Sequence, residues 1–272
     1  MKKRLLYFCS FIPFINLSLA GFEMISVFDI TTEGINKYRL SGNLCSFIKS
    51  CESINYGEYD GVIFTNCCNS TQRLYDYVTY YYPNTFTYIL DLPHVVDITY
   101  NFKTFFQALS KHFDIPIQDK EDLLQDNLTN KEKDKVLVIS SSIHKNYMNE
   151  LQQLFTNYHL KIETCWSIPR GDLLLQGEKI VSCPRMMNYS NYLEDITNHA
   201  KAVIFIVMQK CDQIMFTYPL IHDLCEQKQR KVLLIEEDYN QVVSERSKIR
   251  YEAFKECLAL DRLERWLKEG RR

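Results

Sequence analysis

Short apolar, β-branched runs alternate along the chain with segments whose apolar positions recur at helical spacing. The strand-like runs fall at residues 5–8, 23–28, 61–65, 85–90, 135–140, 161–164, 202–207 and 231–236. Each is nearly continuously apolar rather than alternating, as parallel strands covered on both faces are. Helical patterns fill the intervals at 13–20, 70–81, 95–113, 145–158, 189–200, 212–228 and 244–268. This rhythm predicts an α/β protein.

The polar stretch from Gln118 to Lys135 interrupts the rhythm with crowded Asp, Asn, Thr and Lys residues. It reads as a linker. The expected organisation is a first domain over 1–118, a linker over 119–134 and a second domain over 135–272. Each half carries four strand-like runs, enough for a small doubly wound parallel sheet. Two such Rossmann-like domains would face each other across a cleft. The halves also match locally. Gly61-Val62-Ile63-Phe64-Thr65 leads to Cys67 and Cys68, then a helix and a strand; Ala202-Val203-Ile204-Phe205-Ile206 leads to Cys211, then a helix and a strand.

Charge narrows the function classes. The formal net charge is -2, without the basic excess that binding a phosphate backbone requires, so nucleic acid is not an expected partner. No apolar run reaches about 18 residues, so no membrane span is expected. The N-terminus imitates an export signal: Met1-Lys2-Lys3-Arg4, an apolar run, then Ser18-Leu19-Ala20. However, Pro13 and Asn16 break that run, and Gly21-Phe22 lead straight into another strand-like segment. The region reads instead as the opening βαβ unit, with Gly21 ending its helix.

The chain is thus expected in the cytoplasm, which changes the meaning of its ten cysteines. There, thiols are reduced, metal-bound or catalytic rather than disulfide-bonded. Simple packing is the competing role for any one of them, and Cys225 and Cys257, on helical faces, read that way. No C-x-x-C pair occurs, so a zinc ribbon or ferredoxin-type run is absent. Cys68 and Cys211 stand out because they follow strands. In doubly wound sheets ligands bind beyond the C-terminal strand ends, and a cysteine there meets the N-terminus of the next helix, which favours thiolate. Thiolate is the form that binds iron. Cys45, in the segment leading to the strand at Gly61, can reach the same cleft.

Two blocks carry a family resemblance. One runs Asp60-Gly61-Val62-Ile63-Phe64-Thr65-Asn66-Cys67-Cys68-Asn69-Ser70, continues through Arg73-Leu74-Tyr75-Asp76 and ends Leu90-Asp91-Leu92-Pro93. The other comprises Lys210-Cys211-Asp212, Tyr218-Pro219-Leu220, Glu236-Glu237-Asp238-Tyr239 and Lys248-Ile249-Arg250-Tyr251-Glu252-Ala253-Phe254. Shorter matches lie at Cys9-Ser10-Phe11-Ile12-Pro13 and Cys183-Pro184-Arg185-Met186. With these blocks the chain resembles subunits of the 2-hydroxyacyl-CoA dehydratase family, which includes the related benzoyl-CoA reductase subunits.

The resemblance implies two Rossmann-like domains around one 4Fe–4S cluster, with Cys45, Cys68 and Cys211 at the ligand positions. It implies pairing with a related dehydratase-type subunit, or with a second copy, and a separate ATP-hydrolysing iron–sulfur activator that delivers one low-potential electron. It implies an acyl-CoA substrate, reduced at its thioester to a ketyl radical anion in a lyase or reductase reaction. A rival reading keeps the cluster without the thioester chemistry, as an electron-transfer or accessory protein.

Other residues stay open between two roles. Ser10, at the first strand–helix turn, is a candidate catalytic group facing the cluster, or a cap for the helix starting near Pro13. Arg185 is a candidate substrate-binding cation for a CoA phosphate or carboxylate, or an ordinary surface arginine. His94 is an acid–base candidate or a helix cap. Ser140-Ser141-Ser142 cradles an anion or caps a helix. Gly171 and Gly177 fit no phosphate-binding glycine pattern.

Overall fold

The structure is a computed structural model that describes residues 2–32, 39–92, 99–117, 135–175, 183 and 189–269. Its first half runs β1 (Arg4–Tyr7), α1 (Phe14–Leu19), β2 (Glu23–Ser26), α2 (Ser46–Ser50), β3 (Gly61–Thr65), α3 (Asn69–Tyr81), β4 (Phe86–Leu90) and α4 (Thr99–Phe113). Its second half runs β5 (Lys135–Ser140), α5 (Lys145–Leu154), β6 (His159–Glu163), α6 (Arg170–Leu175), α7 (Tyr189–Asn198), β7 (Ala200–Met208), α8 (Asp212–Met215), α9 (Tyr218–Gln227), β8 (Lys231–Glu237) and α10 (Glu245–Glu269). The expected linker at 119–134 lies outside the described residues.

The strands form two four-stranded sheets, ordered β2-β1-β3-β4 and β6-β5-β7-β8, and every pairing is parallel. The α/β expectation and the doubly wound topology are therefore met. The two sheets share one connectivity. In each, the chain starts on an inner strand, crosses to one edge and then returns past its start to the other side. The order thus reverses between β1 and β3, and again between β5 and β7. Loops leaving those four strands open at the topological switch points, where open α/β sheets bind ligands.

Continuous apolarity explains the central strands. All residues of β3, β5 and β7 are buried, as strands flanked by helices on both faces must be. Gly61 opens β3 where space is short: a β-carbon there would lie 2.7 Å from Leu5 Cδ2. Gly21 ends α1 with φ +99, a backbone state that glycine adopts without steric cost.

The halves pack directly on each other. A single apolar cluster takes Phe8, Phe47 and Phe64 from the first half together with Val138, Tyr147 and Tyr251 from the second. Phe47 meets Tyr239 edge-on at 4.9 Å between ring centroids. Polar contacts fasten the same seam: Ser46 N–H donates to the Gln209 carbonyl at 3.1 Å, Tyr239 N–H donates to Ser46 Oγ at 3.0 Å, and Lys145 pairs with Asp29 at 2.6 Å.

Several local expectations change. The strand expected over 23–28 stops at Ser26, because Ser26 Oγ accepts the Phe28 N–H at 3.3 Å and turns the chain into a short 3₁₀ segment, Val27–Asp29. The helix expected over 212–228 is two, with Pro219 in the first turn of α9, where its missing N–H costs nothing. Cys225 is buried as expected, whereas Cys257 is exposed on α10 and packs in no core. None of the described helices is long and apolar enough to cross a membrane.

Candidate functional site

The three cysteines singled out from sequence share one structural station. Cys68 precedes α3, Cys211 precedes α8 and Cys45 precedes α2, each as the N-terminal capping residue. Two of them follow strands, as expected. Cys45 instead arrives from an irregular segment. At such a position the first amide groups of the helix lack intrahelical partners, and of the three side chains that of Cys68 takes one of them as a cap. Cys68 Sγ accepts the Thr71 N–H at 3.4 Å and lies 3.2 Å from the Thr71 hydroxyl. Cys211 Sγ lies 3.4 Å from Ser141 Oγ, at the end of β5. Cys45 is 6% exposed.

These thiols act on one another electrostatically. Burial pushes Cys45 up to about 12, and the charges of Cys211 and Cys68 add to that. Burial also raises Cys211, with Cys68 again contributing. Cys68 goes the other way, down to about 6, because the adjacent Cys67 thiol hydrogen-bonds to its sulfur and the Thr71 hydroxyl and amides assist against burial. Cys68 is therefore the first of the three to ionise. Each further thiolate is opposed by those already present, an opposition that a bound cation would remove.

Their spacing limits what could bind. Among the described residues, the group of metal-ligand atoms all lying within 4.8 Å of one another is His222, Asp223 and Glu226, on the exposed face of α9. Cys45, Cys68 and Cys211 are more widely spread than that. Sulfurs closing around one tetrahedral ion, with metal–sulfur bonds of about 2.3 Å, would sit ~3.8 Å apart. The three thiols do not close around one such ion as they stand.

Cysteines not singled out as site residues extend the constellation. Cys165, after β6, feels the charges of Cys9, Cys183 and Cys211, and Cys67 feels Cys9. Beside them is a cavity of about 30 Å³ lined by Cys9, Ser140, Glu163, Cys165, Arg170 and Tyr189, among others, room for roughly one water molecule. Ser140 Oγ and Glu163 Oε2 face burial without a hydrogen-bond partner. A larger groove of about 680 Å³ lies far from these cysteines, between Lys3, Asp60 and Thr85 at the opposite ends of the strands.

Ser10 sits at the seam, 4% exposed. Its hydroxyl accepts Arg170 Nη1 at 2.7 Å, its N–H donates to the Cys165 carbonyl at 3.1 Å, and its carbonyl accepts the Gly171 N–H at 2.8 Å. It does not cap α1. That role falls to Asp172 from the other half, whose Oδ1 accepts the Ile15 N–H at 3.1 Å. Burial raises the Asp172 carboxyl to about 7, against the pull of first-turn amides of α1. The serines at 140–142 do not cap α5 either: His144 Nδ1 accepts the Asn146 N–H at 3.0 Å. Arg185, His94 and Gly177 lie outside the described residues. No sequence pattern pointed to Arg170 or Asp172.

No curated protein matches. One solved structure of similar outline is the periplasmic zinc binding protein TroA from Treponema pallidum, with 10% identity over 90% of this chain and 91% of that chain and a TM-score of 0.29, a likeness too slight to support an argument. The profile of the family described as 2-hydroxyglutaryl-CoA dehydratase, D-component, matches residues 5–164 and 174–258. These two stretches contain Cys45, Cys68 and Cys211 and take in both sheets, and the chain belongs to the 2-hydroxyglutaryl-CoA dehydratase D-component family.

Proposed function

We propose that this chain is the iron–sulfur subunit of a dehydratase, or a related reductase, acting on 2-hydroxyacyl-CoA thioesters, with Cys45, Cys68 and Cys211 holding a 4Fe–4S cluster. The observation that carries this reading is the convergence of three thiols, each at a helix N-terminus and each within the electrostatic reach of another, across the seam between two sheets. The donor set fits such a group: soft sulfur ligands, more widely spaced than a single ion requires, with amide and hydroxyl donors around them. When bound, the cluster would supply one-electron reduction and a Lewis-acidic iron for the thioester or hydroxyl oxygen.

The chain's own residues do the rest. Cys68 ionises first and is the natural first ligand. The Thr71 N–H donates to the Cys68 sulfur, and the Thr71 and Ser141 hydroxyls lie within hydrogen-bond distance of Cys68 and Cys211; hydrogen bonds to sulfur tune potential in such sites. Arg170 fixes the Ser10 hydroxyl at the seam, making Ser10 a candidate to orient substrate. Arg185 is proposed to meet the phosphates or carboxylate of the acyl-CoA. A related subunit or a second copy, and an ATP-hydrolysing iron–sulfur activator, are the proposed partners. The proposed compartment is the cytoplasm, which suits ten free thiols.

The test is anaerobic purification followed by iron and sulfide analysis of the wild type and the Cys45→Ser, Cys68→Ser and Cys211→Ser variants. Each variant should lose most of the iron while Cys225→Ser keeps it. A colourless, iron-free wild type from anaerobic cells would sink the reading.

One observation favours a second reading, a cluster carrier without thioester chemistry. The Ser10 hydroxyl is already engaged by Arg170, and the cavity beside it has room for roughly one water. Such a carrier would bind iron yet show no spectral response to 2-hydroxyglutaryl-CoA.

A further inference from the structure

Cys67 and Cys68 lie in the bend between the end of β3 at Thr65 and the start of α3 at Asn69. Consecutive residues of an extended chain point their side chains to opposite faces. Here both sulfurs turn to one hydroxyl: Thr71 Oγ1 lies 3.3 Å from Cys67 Sγ and 3.2 Å from Cys68 Sγ. Cys68 accepts the Thr71 N–H, from the third residue of α3, and the Cys67 carbonyl accepts the Gln213 side chain from the second half. Both residues are half-buried.

We propose that Cys67 and Cys68 form a peroxide-reactive vicinal dithiol that closes into a disulfide when Cys68 carries no metal. The inference rests on the iron-site reading only in taking Cys68 as a ligand that a bound cluster would shield. In the first step the Cys68 sulfur attacks one peroxide oxygen. A sulfur–oxygen bond forms, the oxygen–oxygen bond breaks, and the hydroxide released takes a proton to become water. In the second, the Cys67 sulfur attacks the Cys68 sulfenic acid, forming the sulfur–sulfur bond and releasing the second water. Two thiols and one hydrogen peroxide become one disulfide and two waters, with both electrons drawn from sulfur.

Geometry makes this bond temporary. Adjacent α-carbons across a trans peptide lie about 3.8 Å apart, below the range of about 4.4 to 6.8 Å that disulfides prefer. A strained disulfide is readily reduced. The pair therefore suits a reversible guard. It would hold an emptied ligand site at the disulfide stage, short of the sulfinic acid from which recovery is not general.

The experiment treats the full-length chain with hydrogen peroxide, both anaerobically loaded with iron and after chelation, and maps thiols by mass spectrometry. The chelated wild type should lose two hydrogens within the single peptide containing Cys67 and Cys68, and dithiothreitol should restore them. In Cys67→Ser, with its melting temperature unchanged, Cys68 should reach sulfinic acid about tenfold faster. The loaded protein should show neither change. A Cys68 bridge to Cys45 or Cys211 instead, or equal rates of irreversible loss in wild type and Cys67→Ser, would overturn the proposal. A wild type that never binds iron but still closes the pair would overturn the iron-site reading and leave this one standing.

Discussion

Arg170 reaches across the seam to Ser10, its Nη1 donating to the serine Oγ at 2.7 Å in a site where both residues are 4% exposed. This contact joins the turn after β1 to the start of α6, and the neighbouring Ser10–Cys165 and Gly171–Ser10 backbone bonds reinforce it. A hydrogen bond to a charged group contributes about 1.5–3 kcal/mol. Arg170→Met should therefore lower unfolding stability by at least about 1.5 kcal/mol in urea. Ser10→Ala should also destabilise, because it leaves a buried guanidinium short of an acceptor. Equal midpoints for wild type and both variants would remove Arg170 as the fastener.

Gly171 presses closer still. A β-carbon there would lie 2.3 Å from the Phe11 carbonyl oxygen and 2.7 Å from its carbon. Those are backbone atoms of the other half and cannot swing aside. Gly171→Ala should cost about 1–3 kcal/mol, the usual range for overpacking, even though alanine is the better helix former in isolation. Denaturant unfolding decides the sign, and a stabilised variant would contradict this packing.

The two titrating groups at the seam predict opposite pH trends. Asp172 is raised by burial from its ordinary 3.8 to about 7. Between those values the folded state holds the extra proton, so its contribution to stability is full below about 4 and is lost as pH rises through about 7. Asp172→Asn keeps an acceptor for the Ile15 N–H but cannot ionise. Its advantage over wild type in melting temperature should grow from about pH 5 to about pH 8. An advantage constant with pH would show that Asp172 does not titrate there.

Cys68 runs the other way in the metal-free protein. Its folded value of about 6 lies below the ordinary 9.0. The unfolded chain thus holds the extra proton between them, and the Cys68 contribution rises with pH across that window and is lost as pH falls through about 6. Alkylation by iodoacetamide, followed residue by residue, should find Cys68 reacting near pH 7 while Cys45 stays inert. Cys67→Ser should shift the Cys68 profile, because its principal hydrogen-bond donor changes. A Cys68 that reacts only near the ordinary thiol range would refute this electrostatic assignment.

Much of the fold was legible because parallel strands announce themselves. Runs such as Val136-Leu137-Val138-Ile139 are apolar on both faces, and each lies where the structure has a strand. The short helices α2 and α6 were not, since five or six residues carry no measurable period. At the site, Cys68 and Cys211 were visible because a strand precedes each. Arg170 and Asp172 were invisible for a different reason. Their partners Ser10 and Ile15 lie 160 and 157 positions away in the chain, and no local pattern encodes a contact of that range. The Cys67–Cys68 geometry was equally hidden, because both residues lie in the bend after β3, where no period sets side-chain direction.

The apolar cluster that runs through both sheets has a consequence for how the chain comes apart. Each half also buries a cluster of its own, around Phe105 in the first and Phe205 in the second, but Phe47, Tyr147 and Tyr251 cannot be wetted in one half without exposing the other. The molecule is expected to melt in a single calorimetric transition, and a protease cut between residues 119 and 134 should leave the two fragments associated. Two architectural units would then be one cooperative unit of folding.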